Sequence, residues 1–193
     1  GAVTGTSVLG GAVLGGAALI LPGEELDAIV YGCTSASVCI GDGEVRAQIA
    51  RGKPGCPVVT PVSAALKGLR AMKARRISVL TPYTPETTRP MAAMFEAEGF
   101  ALDRVTCLNM TDDRDMARIA LDDLVGLAAA AADPASEALF VSCTAVRAAG
   151  VIDRKRSEIC PYALVRKSMN FRSSILDCRL GTQRLIPPKS EFL

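Results

Sequence analysis

The run Leu26–Ser37, LDAIVYGCTSAS, decides the fold. Its first six residues form a short apolar, β-rich segment, which ends at Gly32 in a cluster of small polar residues. That is the signature of a buried strand stopping in a loop. The same succession recurs at Ala138–Thr144 (ALFVSCT) and, without the cysteine, at Ile77–Thr84 (ISVLTPYT). Cys56–Thr60 (CPVVT) and Ala101–Leu108 (ALDRVTCL) read as two further strands. Between them lie helical patterns. Gly43–Gly52 places Val45 and Ile49 four apart, and Pro61–Ala74 gathers Ala65, Leu66, Leu69 and Met72 on one face. A third pattern runs from Pro85 to about Glu98, with Gly99 at a C-cap position. A fourth, long helix is predicted from Asp112–Asp115 through the alanines at 128–132. Ala17–Leu21 reads as a helix end stopped by Pro22-Gly23. Strands alternating with helices predict an α/β protein with parallel sheets.

Composition narrows the chemistry. With 193 residues, 49% of them hydrophobic, the chain can bury the core of one or two compact domains. It has no histidine and no tryptophan, which excludes an imidazole triad, an imidazole metal site and a broad stacking platform for bases. No Gly-x-Gly-x-x-Gly follows a strand, so a dinucleotide fold is disfavoured. The net charge of +2 hides an asymmetry: residues 151–193 carry 9 Lys/Arg against 4 Asp/Glu. The longest basic run there is Arg154-Lys155-Arg156, which fits a solvated tail and no nucleic-acid role. Seven cysteines without a Cys-x-x-Cys spacing predict reduced thiols, with neither a disulfide framework nor a zinc site. The first charged residue is Glu24. The uncharged start is rich in glycine and has no basic residue ahead of it, so a packed or frayed segment is expected rather than a membrane span or signal, and the expected compartment is the cytoplasm.

In an open parallel sheet, ligands bind beyond the carboxyl ends of the strands. Three polar clusters fall there: Gly32–Ser37, Thr81–Thr84 and Ser142–Thr144. A cysteine at such a position, followed by hydroxyl residues and a helix start, sits where backbone N–H groups favour a thiolate. A single cysteine there is more often packing than chemistry. Two in matching loops, Cys33 and Cys143, suggest a pair that takes a proton from one face of a carbon and returns it to the other. Thr34, Ser35 and Thr144 would then bind a substrate carboxylate and stabilise enolate-like charge, and no cofactor is required.

The motifs LPGEELDAIVYGCTSAS (from Leu21), IGDG (from Ile40), TPY (from Thr81) and VSCTAVR (from Val141) closely resemble the aspartate/glutamate racemase superfamily. Within it the chain looks most like the ectoine utilization branch, near maleate cis-trans isomerases and arylmalonate decarboxylases. The resemblance spans roughly Ala17 to Asp153. It implies two similar α/β lobes related by a pseudo-twofold, with one cysteine from each lobe facing a shared cleft and matching Cys33 and Cys143 here. It further implies that Thr34 and Ser35 hold a substrate carboxylate, that Tyr83 hydrogen-bonds it and that Thr144 offers its N–H. Racemases of this kind use the two thiols as acid and base. Maleate isomerases resemble them but add one thiolate to the alkene, allow rotation and eliminate. Arylmalonate decarboxylases keep only the second-lobe cysteine, and the presence of Cys33 speaks against that activity.

These resemblances give residues 1–74 as a first lobe, 75–153 as a second and 154–193 as a basic tail. Gly1–Gly16 shows no counterpart of the family's opening strand, and Arg154–Leu193 shows none of the helix and strand that complete the first lobe. The first lobe is therefore expected to be incomplete. The functional expectation is a cofactor-independent isomerase of racemase type acting on a small amino acid or dicarboxylate in ectoine catabolism. The alternatives are a maleate-type isomerase working through a covalent thiol adduct and an inactive, ligand-binding relic of the fold. The resemblance also implies a homodimer or larger assembly. Cys39, Cys56, Cys107, Cys160 and Cys178 match no family position and are expected to pack or lie exposed, and Asp112 and Asp113 are expected to cap a helix.

Overall fold

The computed structural model describes residues 14–21 and 26–152. The chain divides into two compact units, Gly1–Leu66 and Lys67–Leu193. In the first, residues 14–19 are helical (α1). They are followed by β1 (Ile29–Val30), α2 (Thr34–Ile40), α3 (Asp42–Gly52), β2 (Val58–Val59) and the start of α4 (Pro61–Ala71). The second unit contains β3 (Arg76–Thr81), α5 (Pro85–Ala97), β4 (Ala101–Cys107), α6 (Asp113–Arg118), α7 (Leu121–Ala131), β5 (Ala138–Val141) and α8 (Ala149–Ile152).

Each unit has its own parallel sheet. β1 pairs with β2 in the first, Ile29 opposite Val58. In the second the order is β4-β3-β5, with Val79 opposite Val105 on one side and Phe140 on the other. Five consecutive residues of β3, Ile77–Thr81, are buried. Successive strand side chains point to opposite faces, so unbroken burial means both faces are covered. α5 packs on β4, and α7 packs on all three strands. Phe95 of α5 sits edge-on to Phe100 and Phe140, at centroid distances of 6.0 and 5.1 Å. The first unit's core is smaller. Ala18, Val45 and Ile49 are buried, and Leu14, Ile29, Tyr31, Ile40 and Val58 pack around them.

Three expectations need correction. The run Leu26–Tyr31 contributes only Ile29–Val30 to a strand, because β2 offers just two residues to pair with. Thr34–Ile40, expected as a loop leading to a helix, is itself helical: the Ser37 N–H and hydroxyl both close on the Cys33 carbonyl, at 3.1 and 2.6 Å. The long helix expected after Asp112 is two helices. Ile119 and Ala120 adopt extended ψ values of 120° and 146°, and Arg147 donates to the Ile119 carbonyl that a continuous helix would have used. Asp112 caps α6 as expected, accepting from the Arg114 N–H at 2.7 Å. Gly99 closes the α5 end at a φ of 86°, a conformation glycine adopts without strain. The expectation of an incomplete first lobe concerns 1–16 and 154–193, of which only residues 14–16 are described, as part of α1. Residues 1–13 and 153–193, with Cys160 and Cys178, lie outside the described residues.

Among the described residues, no helix is long and apolar enough to cross a membrane.

Candidate active site

In the first unit, the carboxyl end of β1 delivers Cys33 directly onto a helix. The Tyr31 N–H donates to the Val59 carbonyl at 2.9 Å, so pairing with β2 continues past the strand proper. Cys33 follows as the N-cap of α2, with φ −114° and ψ 110°. Its side chain makes no capping hydrogen bond. The thiol is exposed, with the Ser35 hydroxyl 3.6 Å from the sulfur. The first N–H groups of a helix lack intrahelical acceptors, and Cys33 stands at that end of α2. Thr34 is buried and Ser35 half-buried beside it. Thr60 comes after β2, fully buried. Its hydroxyl donates to the Asp42 carboxylate at the start of α3, and it exchanges bonds of 3.0 and 3.1 Å with Ser63 to cap α4. This link ties the end of β2 to the starts of α3 and α4. Sequence reading missed it, although Thr60-Pro61-Val62-Ser63 carries the spacing of a reciprocal cap.

The second unit places its candidate residues where the connection changes direction. β3 leads through α5 to β4 on one side, and β4 leads through α6 and α7 to β5 on the other. Such a reversal opens a crevice between β3 and β5 beyond their carboxyl ends. The loop after β3 carries Tyr83 and the loop after β5 carries Cys143 and Thr144. Tyr83 is 7% exposed. Its loop is laced to the chain after β4 by three backbone bonds: Leu108 N–H to Thr81, Asn109 N–H to Tyr83 and Met110 N–H to Pro82, at 2.9, 3.1 and 2.8 Å. The Thr81 and Thr88 hydroxyls, 2.6 Å apart, fasten the loop to α5. Cys143 is half-buried in the left-handed region at φ 81°, and Thr144 is exposed. Cys33, Thr34 and Ser35 thus follow β1 in one unit; in the other, Cys143 and Thr144 follow β5 and Tyr83 follows the adjacent β3.

The remaining described thiols differ in setting. Cys39 is exposed, and the Cys56 sulfur lies 3.5 Å from the Leu26 carbonyl. Cys107, at the end of β4, is pushed up by burial, with the Glu86 carboxylate adding to the rise and the Asn109 and Cys107 N–H groups opposing it. Tyr31 is raised too, by burial first and then by the charge of Cys33.

A model described as arylmalonate decarboxylase matches residues 15–163. The chain belongs to the arylmalonate decarboxylase family. This family, which includes maleate isomerases, lies within the aspartate/glutamate racemase-like fold group. The family member described here is 29% identical over 124 residues to a maleate isomerase of Nocardia farcinica, an alignment covering 61% of this chain and 49% of the relative. It spans about half the length of that curated relative. A liganded crystal structure of arylmalonate decarboxylase carrying Gly-to-Cys and Cys-to-Ser changes superposes with a TM-score of 0.68 at 24% identity, over 79% of this chain and 67% of the other. A Cys-to-Ser mutant of the N. farcinica maleate cis-trans isomerase, holding a covalent succinylcysteine intermediate, matches with a TM-score of 0.52 at 29% identity, over 58% of this chain and 49% of the other. The parallel α/β architecture is thus shared with the decarboxylase and isomerase members of the family.

Proposed function

We propose that this protein is a cofactor-independent isomerase of small dicarboxylates that works through Cys33 and Cys143, as in maleate-type cis-trans isomerisation. The observation that carries the reading is a free thiol beyond the carboxyl end of a parallel strand in each unit, Cys33 after β1 and Cys143 after β5. Decarboxylation, the activity for which the family is named, fits less well, because the resemblance gives decarboxylases one such cysteine and this chain has two.

Roles follow from setting. Cys33 is the exposed thiol, at the N-cap of α2, and it is assigned as the nucleophile. Its sulfur adds to one alkene carbon of a cis-dicarboxylate, forming a C–S bond while the π electrons move toward the adjacent carbon and its carboxylate. Cys143 gives its proton to that carbon. The former double bond is now single and rotates. Cys143 takes the proton back, the C–S bond breaks, and the trans-alkene leaves with both thiols restored to their starting protonation. Hydroxyls of Thr34 and Ser35, the Tyr83 phenol and the Thr144 N–H are assigned to the carboxylates, whose charge grows on addition. The succinylcysteine held by the N. farcinica relative has the composition of the protonated adduct.

The second reading is proton transfer at the α-carbon of an amino acid, which the same two thiols support. The resemblance to the ectoine utilization branch adds a place in ectoine breakdown to that reading. One experiment separates the two: maleate and a panel of small amino acids are incubated in deuterated water and followed by proton NMR. Fumarate formation with a dicarboxylate-sized mass increase on Cys33, trapped in Cys143→Ser, is the expected result. Deuterium wash-in at a saturated α-carbon selects racemisation instead. Cys33→Ser and Cys143→Ser are each expected to slow turnover by about 10²–10⁴-fold. Turnover that survives both changes ends the two-thiol reading.

A further inference from the structure

We propose that Ser142 is a positioning residue whose hydroxyl donates a hydrogen bond to the Cys143 thiolate. The inference rests on the reading of Cys143 as a reacting thiol. Two observations at consecutive residues carry it. Ser142 is 1% exposed, and its hydroxyl is the buried side-chain oxygen or nitrogen that finds no hydrogen-bond partner among the described residues. Every comparable hydroxyl in this sheet is satisfied: Ser78 pairs with Ser136 at 2.8 Å and Thr81 with Thr88 at 2.6 Å. A buried hydroxyl left unpaired is destabilising, and folded proteins tolerate few of them outside functional sites.

The second observation is the backbone of Cys143. The Ser142 N–H still donates to the Leu80 carbonyl at 2.8 Å, so the β5–β3 ladder reaches Ser142. In a continuing strand the next side chain would point to the opposite face. Cys143 instead has a φ of 81°, a rotation of about 200° from the strand value. That rotation carries its Cβ to the side occupied by Ser142. A left-handed φ is unfavourable for a residue with a Cβ, and here it sets a thiol and an unpaired hydroxyl side by side on adjacent residues. Rotation of the two χ1 angles then closes an O–H to S⁻ bond. Because the donor is dry, the bond favours the thiolate more than an exposed hydroxyl would. Titratable groups after β5 and on the neighbouring strand ends are Tyr83 past β3, Cys107 at the end of β4 and Arg147, whose guanidinium donates to the Ile119 carbonyl. All are kept in each variant, so differences between variants isolate the hydroxyl.

The test follows Cys143 alkylation by iodoacetamide, read peptide by peptide in a mass spectrometer from pH 6 to 10, for wild type, Ser142→Ala, Ser142→Gly and Ser142→Thr. Removing the hydroxyl is expected to raise the midpoint for Cys143 by about one pH unit, a tenfold loss of thiolate at neutral pH. Ser142→Thr is expected to retain the wild-type midpoint, and thermal unfolding of Ser142→Ala to stay at or above the wild-type temperature. An unchanged Cys143 midpoint in Ser142→Ala overturns the proposal. Should that variant fail to fold, an unchanged midpoint in Ser142→Gly does the same. No substrate enters the measurement, so its failure is distinct from failure of the isomerase reading, which is judged by turnover.

Discussion

A thiol serves as a nucleophile in proportion to how readily it sheds its proton, and single residues around Cys33 and Cys143 bear on that. Tyr31 reports on the first. Its phenol is held above the ordinary value of 10.0 by burial and then by the Cys33 charge. Removing that charge with Cys33→Ser is expected to let Tyr31 ionise at lower pH, seen in the 295 nm absorbance once Tyr31→Phe has identified its contribution. A midpoint that does not fall would mean the sulfur and the phenol are not electrostatically coupled. The linkage has a definite sign. A phenol raised in the folded state adds stability that is whole below its unfolded value and disappears as pH climbs through the folded one, so the native advantage from Tyr31 is lost only in strong alkali. The other sulfurs show how little a residue type reveals without its surroundings. Cys33, Cys39 and Cys107 are the same letter in the sequence, and only the N-cap geometry and the burial at the end of β4 tell them apart.

Elements were legible where periodicity was strong. The α3, α4, α5 and β3 to β5 segments lie where hydrophobic spacing and Gly99 place them, because packing there agrees with local preference. The α6–α7 break was hidden because neither glycine nor proline marks it. The acidic pair Asp122 and Asp123 in the first turn of α7 is the signal a second helix start would leave. The helical state of Thr34–Ile40 was hidden for a different reason: Thr34-Ser35-Ala36-Ser37 is loop-forming by composition, and the two bonds from Ser37 to the Cys33 carbonyl override it. Element packing also sets an expectation at Gly52. A Cβ there would lie 2.6 Å from the Gly15 carbonyl and 2.7 Å from the Ala18 Cβ, so α3 and α1 touch through a glycine. Gly52→Ala is expected to cost about 1–3 kcal/mol in chemical denaturation, despite alanine's higher helix propensity. A neutral or stabilising effect would show that α1 does not rest on α3 in solution.

Across the whole molecule, apolar burial is unequal. Fully buried large side chains in β3, β5, α5 and α7, namely Ile77, Val79, Leu80, Leu139, Met91, Phe95 and Leu124, outnumber the first unit's Val45. Amide hydrogens in β3 and β5 are therefore expected to exchange slowest, and those of Ile29–Tyr31 and Val58–Val59 much faster, in hydrogen-exchange mass spectrometry. Equal protection of the two sheets would contradict that ranking. The carboxyl-end loops were foreseen because strand ends fix where ligands bind whatever the loop contains. Torsion at a single residue is beyond such reasoning: nothing in Val141-Ser142-Cys143 announces a left-handed cysteine.

The lacing of the Tyr83 loop by Leu108, Asn109 and Met110 uses main-chain atoms alone. Those three bonds therefore do not depend on which side chains stand at 108–110. A mutant library restricted to those codons, with 109 kept to asparagine, aspartate or glycine because of its φ of 54°, would vary that stretch while keeping the backbone hold on the Tyr83 loop.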